Sequence, residues 1–141
     1  MAAYDGALAD AGVHNYNLVP VSSIVPAEAS IEPVGTAPDL GPPGNRLTVV
    51  EGKAVVAGPD RATAGLGWTI GDGPGVIYEA AGEFDEGTAE RRIERGLAAA
   101  RNLRDWTFTG ERYRATTVTP EGGEFGAAVV IAAYGESEPI F

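Results

Sequence analysis

The chain has 141 residues, 44% of them hydrophobic, which is enough for the core of one domain spanning residues 1–141. It has no cysteine, which excludes disulfides and thiolate metal sites, and no apolar run near the roughly 18–20 residues that span a bilayer. For want of such a run, a membrane is not an expected partner. The 20 acidic and 10 basic residues give a net charge of −10, which would repel phosphate backbones, so nucleic acid is not expected either.

The acidic excess has three interpretations that the sequence leaves open. It can keep the chain soluble, adapt it to high salt (Lys53 is the only lysine), or attract a cationic ligand. The N-terminus MAAYDGALADAG has neither a basic start nor a long apolar stretch. It therefore lacks the pattern of a secretory signal, and we expect a cytoplasmic location.

The first half of the chain predicts one helix followed by strands. Apolar residues at helical spacing predict a helix over Ala3–Ala11, ended by Gly12, before a strand over Asn15–Val21. Residues 33–45 are rich in proline and glycine and predict an irregular loop. Two later segments are predicted to pair as a hairpin around the turn at 58–61, namely Leu47–Ala57 and Ala62–Ile70.

The second half predicts three more strands and a longer helix. A break at 71–75 precedes a short strand over Val76–Ala80. A helix is predicted over Thr88–Arg104, capped by Asp85 or by Thr88 itself, with an apolar stripe at Ala89, Ile93, Leu97 and Ala100. The pattern then predicts an exposed strand over Trp106–Val118 and a strand buried on both faces over Phe125–Tyr134. The sum is a single α/β or α+β domain.

Common catalytic and cofactor motifs are missing. The glycine-rich stretch at 65–75 matches neither the dinucleotide fingerprint nor the P-loop, so a nucleotide is not expected. His14 is the only histidine, and no cluster of carboxylates has metal-ligand spacing. We therefore expect no metal and no site built on a serine–histidine–carboxylate triad.

Several residues could carry chemistry, each with a plainer alternative. Glu79 ends an apolar run, where burial would raise its pKa and prepare it to hold a proton, but it could equally be exposed at a strand end. Asp5 could simply favour the N-terminus of the first helix, and Asn17 could be an outward strand residue. The pair Ser22 and Ser23 ends an apolar strand in NYNLVPVSSIVP, where a strand that only fills a core has no use for two hydroxyls.

Together these residues resemble one family. The segment YDGALADAGVHNYNLVPVSSIVPAEASIEPVG is similar to the processing region of the pyruvoyl-dependent arginine decarboxylases. VIYEAAG, GLAAARNLRDW and GEFGAAVVIAAY resemble later parts of the same family in the same order. The resemblance covers nearly the whole chain, and Ser-Ser-Ile-x-Pro preceded by Asn-x-Asn-Leu is its most specific part.

The resemblance implies that the chain cuts itself between Ser22 and Ser23, giving pieces 1–22 and 23–141. Ser23 would attack the carbonyl of Ser22, the ester would undergo β-elimination, and the resulting dehydroalanine would be hydrolysed to a pyruvoyl group. This covalent cofactor would replace pyridoxal phosphate, and no metal would be needed. The substrate amine would form a Schiff base with it, and arginine would lose CO2 to give agmatine.

The resemblance also assigns roles to the other residues. Glu79 takes the part of the proton donor, Asn17 orients the pyruvoyl group or the substrate carboxylate, and Asp5 pairs with the substrate guanidinium. Family members are layered αββα sandwiches of the pyruvoyl-dependent histidine/arginine decarboxylase type. They assemble as homotrimers, or as dimers of trimers, with each active site between subunits.

Two alternatives to arginine decarboxylation are kept open. The chain could be a pyruvoyl decarboxylase for another amino acid, or a trimeric relative that never cleaves and is not an enzyme. Relatives also have a further N-terminal segment, including a strand, ahead of the Tyr-Asp-Gly helix. Either the start at Met1 is assigned too late or this form lacks that strand. Loss of the strand would expose a sheet edge or leave apolar surface unpaired, and would loosen the region around Asp5.

Overall fold

The computed structural model describes residues 2–141 and has a mixed α+β architecture. Its elements follow one another in the order α1 (Ala2–Asp10), β1 (Asn17–Pro20), β2 (Ile24–Val25), β3 (Arg46–Ala57), β4 (Ala62–Ile70), β5 (Gly75–Gly82), α2 (Glu86–Asn102), β6 (Gly110–Val118) and β7 (Phe125–Ala133). Both predicted helices are present, and the proline-rich stretch at 33–45 is irregular, as predicted.

The strands form two sheets. Sheet A has the order β1-β3-β7, and sheet B has the order β2-β5-β4-β6. β1 runs parallel to β3, while the pairs β3–β7, β2–β5, β4–β5 and β4–β6 are antiparallel. Because β1 belongs to sheet A and β2 to sheet B, the three residues after Pro20 carry the chain from one sheet to the other.

The two sheets pack face to face, and a helix lies against the outside of each. The core between the sheets includes Val50 from β3 and Leu66, Trp68 and Ile77 from sheet B. α1 and the segment after it pack against the outer face of sheet A, through Leu8, Val13, Leu47 and Val49. α2 packs against the outer face of sheet B, through Val76, Ala80, Ile93 and Leu97. Burial of these apolar faces is the main stabilising term.

The prediction for α2 is confirmed closely. Its N-cap is Asp85, whose carboxylate accepts a hydrogen bond of 2.7 Å from the Thr88 backbone N–H, so the first of the two predicted caps is the correct one. The predicted stripe faces the core: Ala89, Ile93 and Leu97 are buried. The cap and the apolar stripe both indicate the same helix, so its predicted bounds differ from the observed ones by only two residues at each end.

The predicted hairpin between the third and fourth strands is wrong. β3 pairs with β1 and β7, whereas β4 pairs with β5 and β6 and belongs to the other sheet. The turn at 58–61 passes the chain between sheets, so the two strands face each other across the core. β4 is buried along nearly all of its length because α2 covers one face and sheet A the other.

Two other strand predictions need correction. The strand predicted from Trp106 begins only at Gly110, because Trp106 and Phe108 instead pack with the apolar cluster beneath α2. The last strand is β7, but it is not buried on both faces. It is an edge strand of sheet A, and Phe125 at its start is 71% exposed. β6 is largely exposed, as predicted.

Candidate active site

The Ser22–Ser23 peptide bond lies where the chain crosses between the two sheets. On one side, the Val21 N–H donates to the Val49 carbonyl of sheet A at 2.9 Å. On the other side, the Ser23 carbonyl accepts from the Ile77 N–H of sheet B at 2.8 Å. The bond between the serines is therefore anchored to a different sheet at each end.

Ser23 is the centre of a tight turn. The Ile24 N–H donates to the Ser22 carbonyl at 2.9 Å, which closes a three-residue turn around Ser23. Ser22 is exposed and Ser23 is half-buried. The carbonyl that a Ser23 hydroxyl would attack thus already accepts a hydrogen bond, and such a bond stabilises negative charge that develops on the oxygen.

The carbonyl of Ile24 is bonded as well. The Tyr134 hydroxyl donates to it at 2.8 Å, and the Tyr134 N–H donates to the Thr48 carbonyl of sheet A at 2.9 Å. Burial raises the pKa of Tyr134 above its ordinary value. The phenol therefore remains a neutral donor throughout the neutral pH range.

Glu79 lies on β5 two residues after Ile77, whose amide holds the Ser23 carbonyl. Residues two apart on a strand share a face, so Glu79 points toward the space between the sheets. Gly52 of β3 lies opposite, and a Cβ added to Gly52 would be 3.5 Å from the Glu79 Cβ. The structure therefore brings Ser22, Ser23 and Glu79 together at the edge of sheet B where β2 meets β5.

The alternative in which Glu79 is buried is wrong within this chain. Its neighbours Val76, Ile77 and Ala80 are buried as predicted, but Glu79 itself is exposed. The reason is the length of β2, which pairs with β5 only at Gly75 and Val76. Beyond the bond from Ile77 to the Ser23 carbonyl, the edge of β5 has no strand partner, and solvent reaches the carboxylate.

Asn17 is not brought to the serines. It begins β1 opposite Arg46, and its side-chain amide donates to the Gly44 carbonyl at 2.8 Å. Four residues of extended chain lie between it and Ser22, which corresponds to a distance of about 16 Å. Asn17 therefore orients the 44–45 loop within this chain and does not touch Ser23.

Asp5 lies elsewhere again. It is exposed on α1, which packs on the outer face of sheet A, whereas Glu79 faces the inner side. Its neighbour Tyr4 donates to the Glu51 carboxylate at 2.6 Å, and Lys53 lies 4.8 Å from the centre of the Tyr4 ring. Burial, and then the hydrogen bond to Glu51, raise the pKa of Tyr4. These contacts fix the start of α1 and leave Asp5 free to meet another molecule.

Two further observations concern cofactors and membranes. Within residues 2–141, no three histidine or carboxylate side chains are grouped closely enough to hold a metal ion. None of the helices in that part of the chain is both long and apolar enough to cross a membrane.

The groups around Ser23 that the sequence does not reveal are the Ile24 and Ile77 amides and the Tyr134 hydroxyl. Backbone donors have no residue signature, so composition and spacing could not have identified them. Tyr134 carried a weak signal, since it is a polar aromatic residue at the end of an apolar strand, and such a hydroxyl usually finds a partner.

Comparison with known proteins gives a consistent result. The family model described as pyruvoyl-dependent arginine decarboxylase matches residues 1–139. Proteins of that name from two strains of Halobacterium salinarum are 56% identical over 142 aligned positions, covering 100% of this chain and 89% of theirs. A protein of the same name from Methanopyrus kandleri is 31% identical, with 95% of this chain and 86% of the relative covered. The chain belongs to the pyruvoyl-dependent arginine decarboxylase family.

Proposed function

We propose that this chain cleaves itself between Ser22 and Ser23 and, once processed, converts L-arginine to agmatine and CO2. Membership in the family supports the reaction. The observation that carries the proposal is the turn at Ser23, in which the Ser22 carbonyl is hydrogen-bonded by Ile24 and the flanking residues are anchored to different sheets.

The cleavage needs only the two serines and water. The Ser23 Oγ bonds to the Ser22 carbonyl carbon, the C–N bond between the residues breaks, and the hydroxyl proton passes to the Ser23 nitrogen. Loss of the Ser23 α-proton then expels the Ser22 carboxylate from Cβ and leaves dehydroalanine. Water adds and ammonia leaves, which produces the pyruvoyl group at position 23.

The residues around Ser23 fit such a group. It would keep the α-carbon and carbonyl of Ser23, so the 2.8 Å hydrogen bond from Ile77 would hold it in place. The group supplies an electron-withdrawing carbonyl for decarboxylation of an amino acid. Glu79, on the same strand as Ile77, would deliver the proton to the α-carbon that loses CO2.

Asp5 and Asn17 would act from a neighbouring subunit. Asp5 is exposed on the outside of sheet A, so a carboxylate–guanidinium pair with arginine requires the substrate to lie between chains. Contact with a neighbour would also cover Glu79 and exclude water from the carboxylate that would deliver the proton. We therefore propose an αββα sandwich of the family type that assembles as a homotrimer or a dimer of trimers.

The outer face of sheet A supports this assembly. Beyond the part covered by α1, it presents the half-buried side chains of Val55, Ala127 and Val129, next to the exposed Phe125. Apolar surface of this kind on a soluble domain usually marks an interaction site. A cytoplasmic location and the absence of nucleic-acid partners stay predictions from the sequence.

Intact-mass spectrometry tests the processing directly. The wild type should give two species under denaturing conditions, residues 1–22 and a larger piece that begins with pyruvoyl in place of Ser23. Ser23→Ala should remain a single chain of 14.5 kDa. A single intact wild-type chain would reject the enzyme and leave the non-cleaving relative as the better description.

Substrate choice is tested by CO2 release from arginine, ornithine, lysine and histidine. Arginine should be preferred, and Asp5→Ala should remove that preference without preventing cleavage between Ser22 and Ser23. Unchanged arginine turnover in Asp5→Ala would reject the role of Asp5. Preference for another amino acid would favour the second alternative.

A further inference from the structure

The backbone N–H and C=O of Ile24 face away from β5 and are hydrogen-bonded on that side. β2 is the edge strand of sheet B, and its neighbour β5 bonds the Ser23 carbonyl through Ile77. Alternate residues of a strand bond in opposite directions, so the N–H and C=O of Ile24 point to the open side. Such edge groups have no ladder partner and must be satisfied in another way.

Both groups of Ile24 find partners from outside the ladder. Its N–H donates to the Ser22 carbonyl at 2.9 Å, and its C=O accepts from the Tyr134 hydroxyl at 2.8 Å. β2 has only two residues and pairs with β5 at two positions, so ladder pairing alone would hold it weakly. The orientation of Ile24 therefore depends on the bond from Tyr134.

Tyr134 is itself rigidly held. It follows β7 directly, its N–H is bonded to Thr48 of sheet A, and its ring packs against the core cluster that contains Val25 and Trp68. The hydroxyl thus joins sheet A to the edge of sheet B, beside the bond that crosses between them. A side chain fixed at both ends can keep Ile24 at constant orientation.

On the basis of the processing at Ser22–Ser23 proposed above, we propose that Tyr134 is a positioning residue for the self-cleavage. Its hydroxyl holds the Ile24 carbonyl, and so aims the Ile24 N–H at the Ser22 carbonyl oxygen. That oxygen gains negative charge when the Ser23 Oγ bonds to the carbonyl carbon, and a donor already in place lowers the barrier. Tyr134 touches neither the attacking nor the leaving atom, so it acts only through Ile24.

The test compares Tyr134→Phe with Tyr16→Phe in the full chain. Tyr16 is the control, because its hydroxyl also donates to a backbone carbonyl, that of Gly41, at 2.8 Å, and accepts from the Leu40 N–H at 3.2 Å, both away from the serines. Each protein is made by pulse-labelled cell-free synthesis, and the intact fraction is followed by mass spectrometry. Tyr134→Phe should slow cleavage about five- to tenfold, the effect of one lost hydrogen bond, and Tyr16→Phe less than twofold.

A second measurement separates positioning from general stability. In the non-cleaving Ser23→Ala background, Tyr16→Phe should lower the unfolding temperature at least as much as Tyr134→Phe, because the Tyr16 hydroxyl makes two hydrogen bonds and the Tyr134 hydroxyl makes one. Only Tyr134→Phe should speed hydrogen exchange at the Ile24 amide. A larger loss of stability for Tyr134→Phe than for Tyr16→Phe, or an unfolded double variant, would make the role structural and overturn the proposal.

The remaining outcomes are also decisive. If the wild type cleaves and Tyr134→Phe cleaves at the same rate, the role of Tyr134 is overturned and the proposed function stays intact. Equal slowing by both tyrosine variants would do the same. An uncleaved wild type would reject the proposed function, and with it any process for Tyr134 to assist.

Discussion

The outer faces of the two sheets are covered very differently. α2 runs for 17 residues over sheet B and buries Ala89, Ile93 and Leu97, whereas the nine-residue α1 buries only Leu8 over sheet A. The outer face of sheet B is therefore covered by a helix of the same chain. Sheet A keeps an apolar area around Val129 that another molecule can cover, which is the side where the proposed assembly would form.

The largest effect is expected beneath α2. Leu97→Ala should lower the free energy of unfolding by about 2–5 kcal/mol, because Leu97 is fully buried and its truncation leaves a cavity. Chemical denaturation of the Ser23→Ala protein measures this without interference from cleavage. Leu103→Ala is the control: this residue is 81% exposed, and its loss should cost no more than about 0.5 kcal/mol.

A change on the open face of sheet A should affect assembly more than folding. Val129→Asp should weaken self-association about tenfold to a hundredfold, because it places an unpaired charge in the proposed contact. Sedimentation over a concentration series measures it. Thr116→Asp on the exposed β6 strand is the matched control and should assemble normally. Unchanged assembly of Val129→Asp would rule this face out as the contact.

Two glycines of the α1 region should respond in opposite directions. Gly12 has a φ of +80°, and an added Cβ would lie 3.0 Å from the Ala37 carbonyl oxygen, so Gly12→Ala should destabilise by about 1–2 kcal/mol. Gly6 lies inside the helix with no atom within 4 Å of an added Cβ. Gly6→Ala should therefore stabilise by about 0.5–1 kcal/mol. Thermal unfolding distinguishes them, and destabilisation by both would mean that α1 packs more tightly than described.

The smallest effect is expected at the cap of α2. Asp85→Ala should lower the unfolding temperature by about 3 °C, while Asp85→Asn, which keeps an acceptor, should lower it less. The hydrogen bond from Thr88 lowers the pKa of Asp85 below its unfolded value. The stabilisation is therefore complete above the unfolded pKa of about 3.9 and is lost as the pH falls through the folded pKa. The difference in unfolding temperature between the wild type and Asp85→Ala should disappear in acid. A difference that persists there would contradict the role of Asp85 as the cap.

Sequence patterns predicted features that depend on one element and failed on those that depend on two. The helical stripe and cap of α2 are local, so its boundaries were close. The partner of β4 depends on which way the chain turns at 58–61, and burial of β7 depends on what lies outside sheet A. Neither is encoded in the strand itself.

The site follows the same division. Ser22 and Ser23 were singled out as an adjacent pair ending an apolar strand and by the family resemblance, and the structure brings Glu79 near them. The exposure of Glu79 could not be predicted because it depends on where β2 stops. The separation of Asp5 and Asn17 from Ser23 depends on the arrangement of the sheets, and the amides of Ile24 and Ile77 have no signature in the sequence.

Residues 2–22 make many contacts that do not depend on the Ser22–Ser23 bond. β1 pairs with β3 at four positions, the Ala37 N–H donates to the Ala11 carbonyl at 2.9 Å, and Thr36 and Gly44 bond to the same segment. After a cut, this piece would be a docked peptide ligand that adds a strand to an existing sheet. Its retention would then follow a dissociation constant, and a synthetic 22-residue replacement could carry unnatural side chains at Asp5 or Asn17 into the protein.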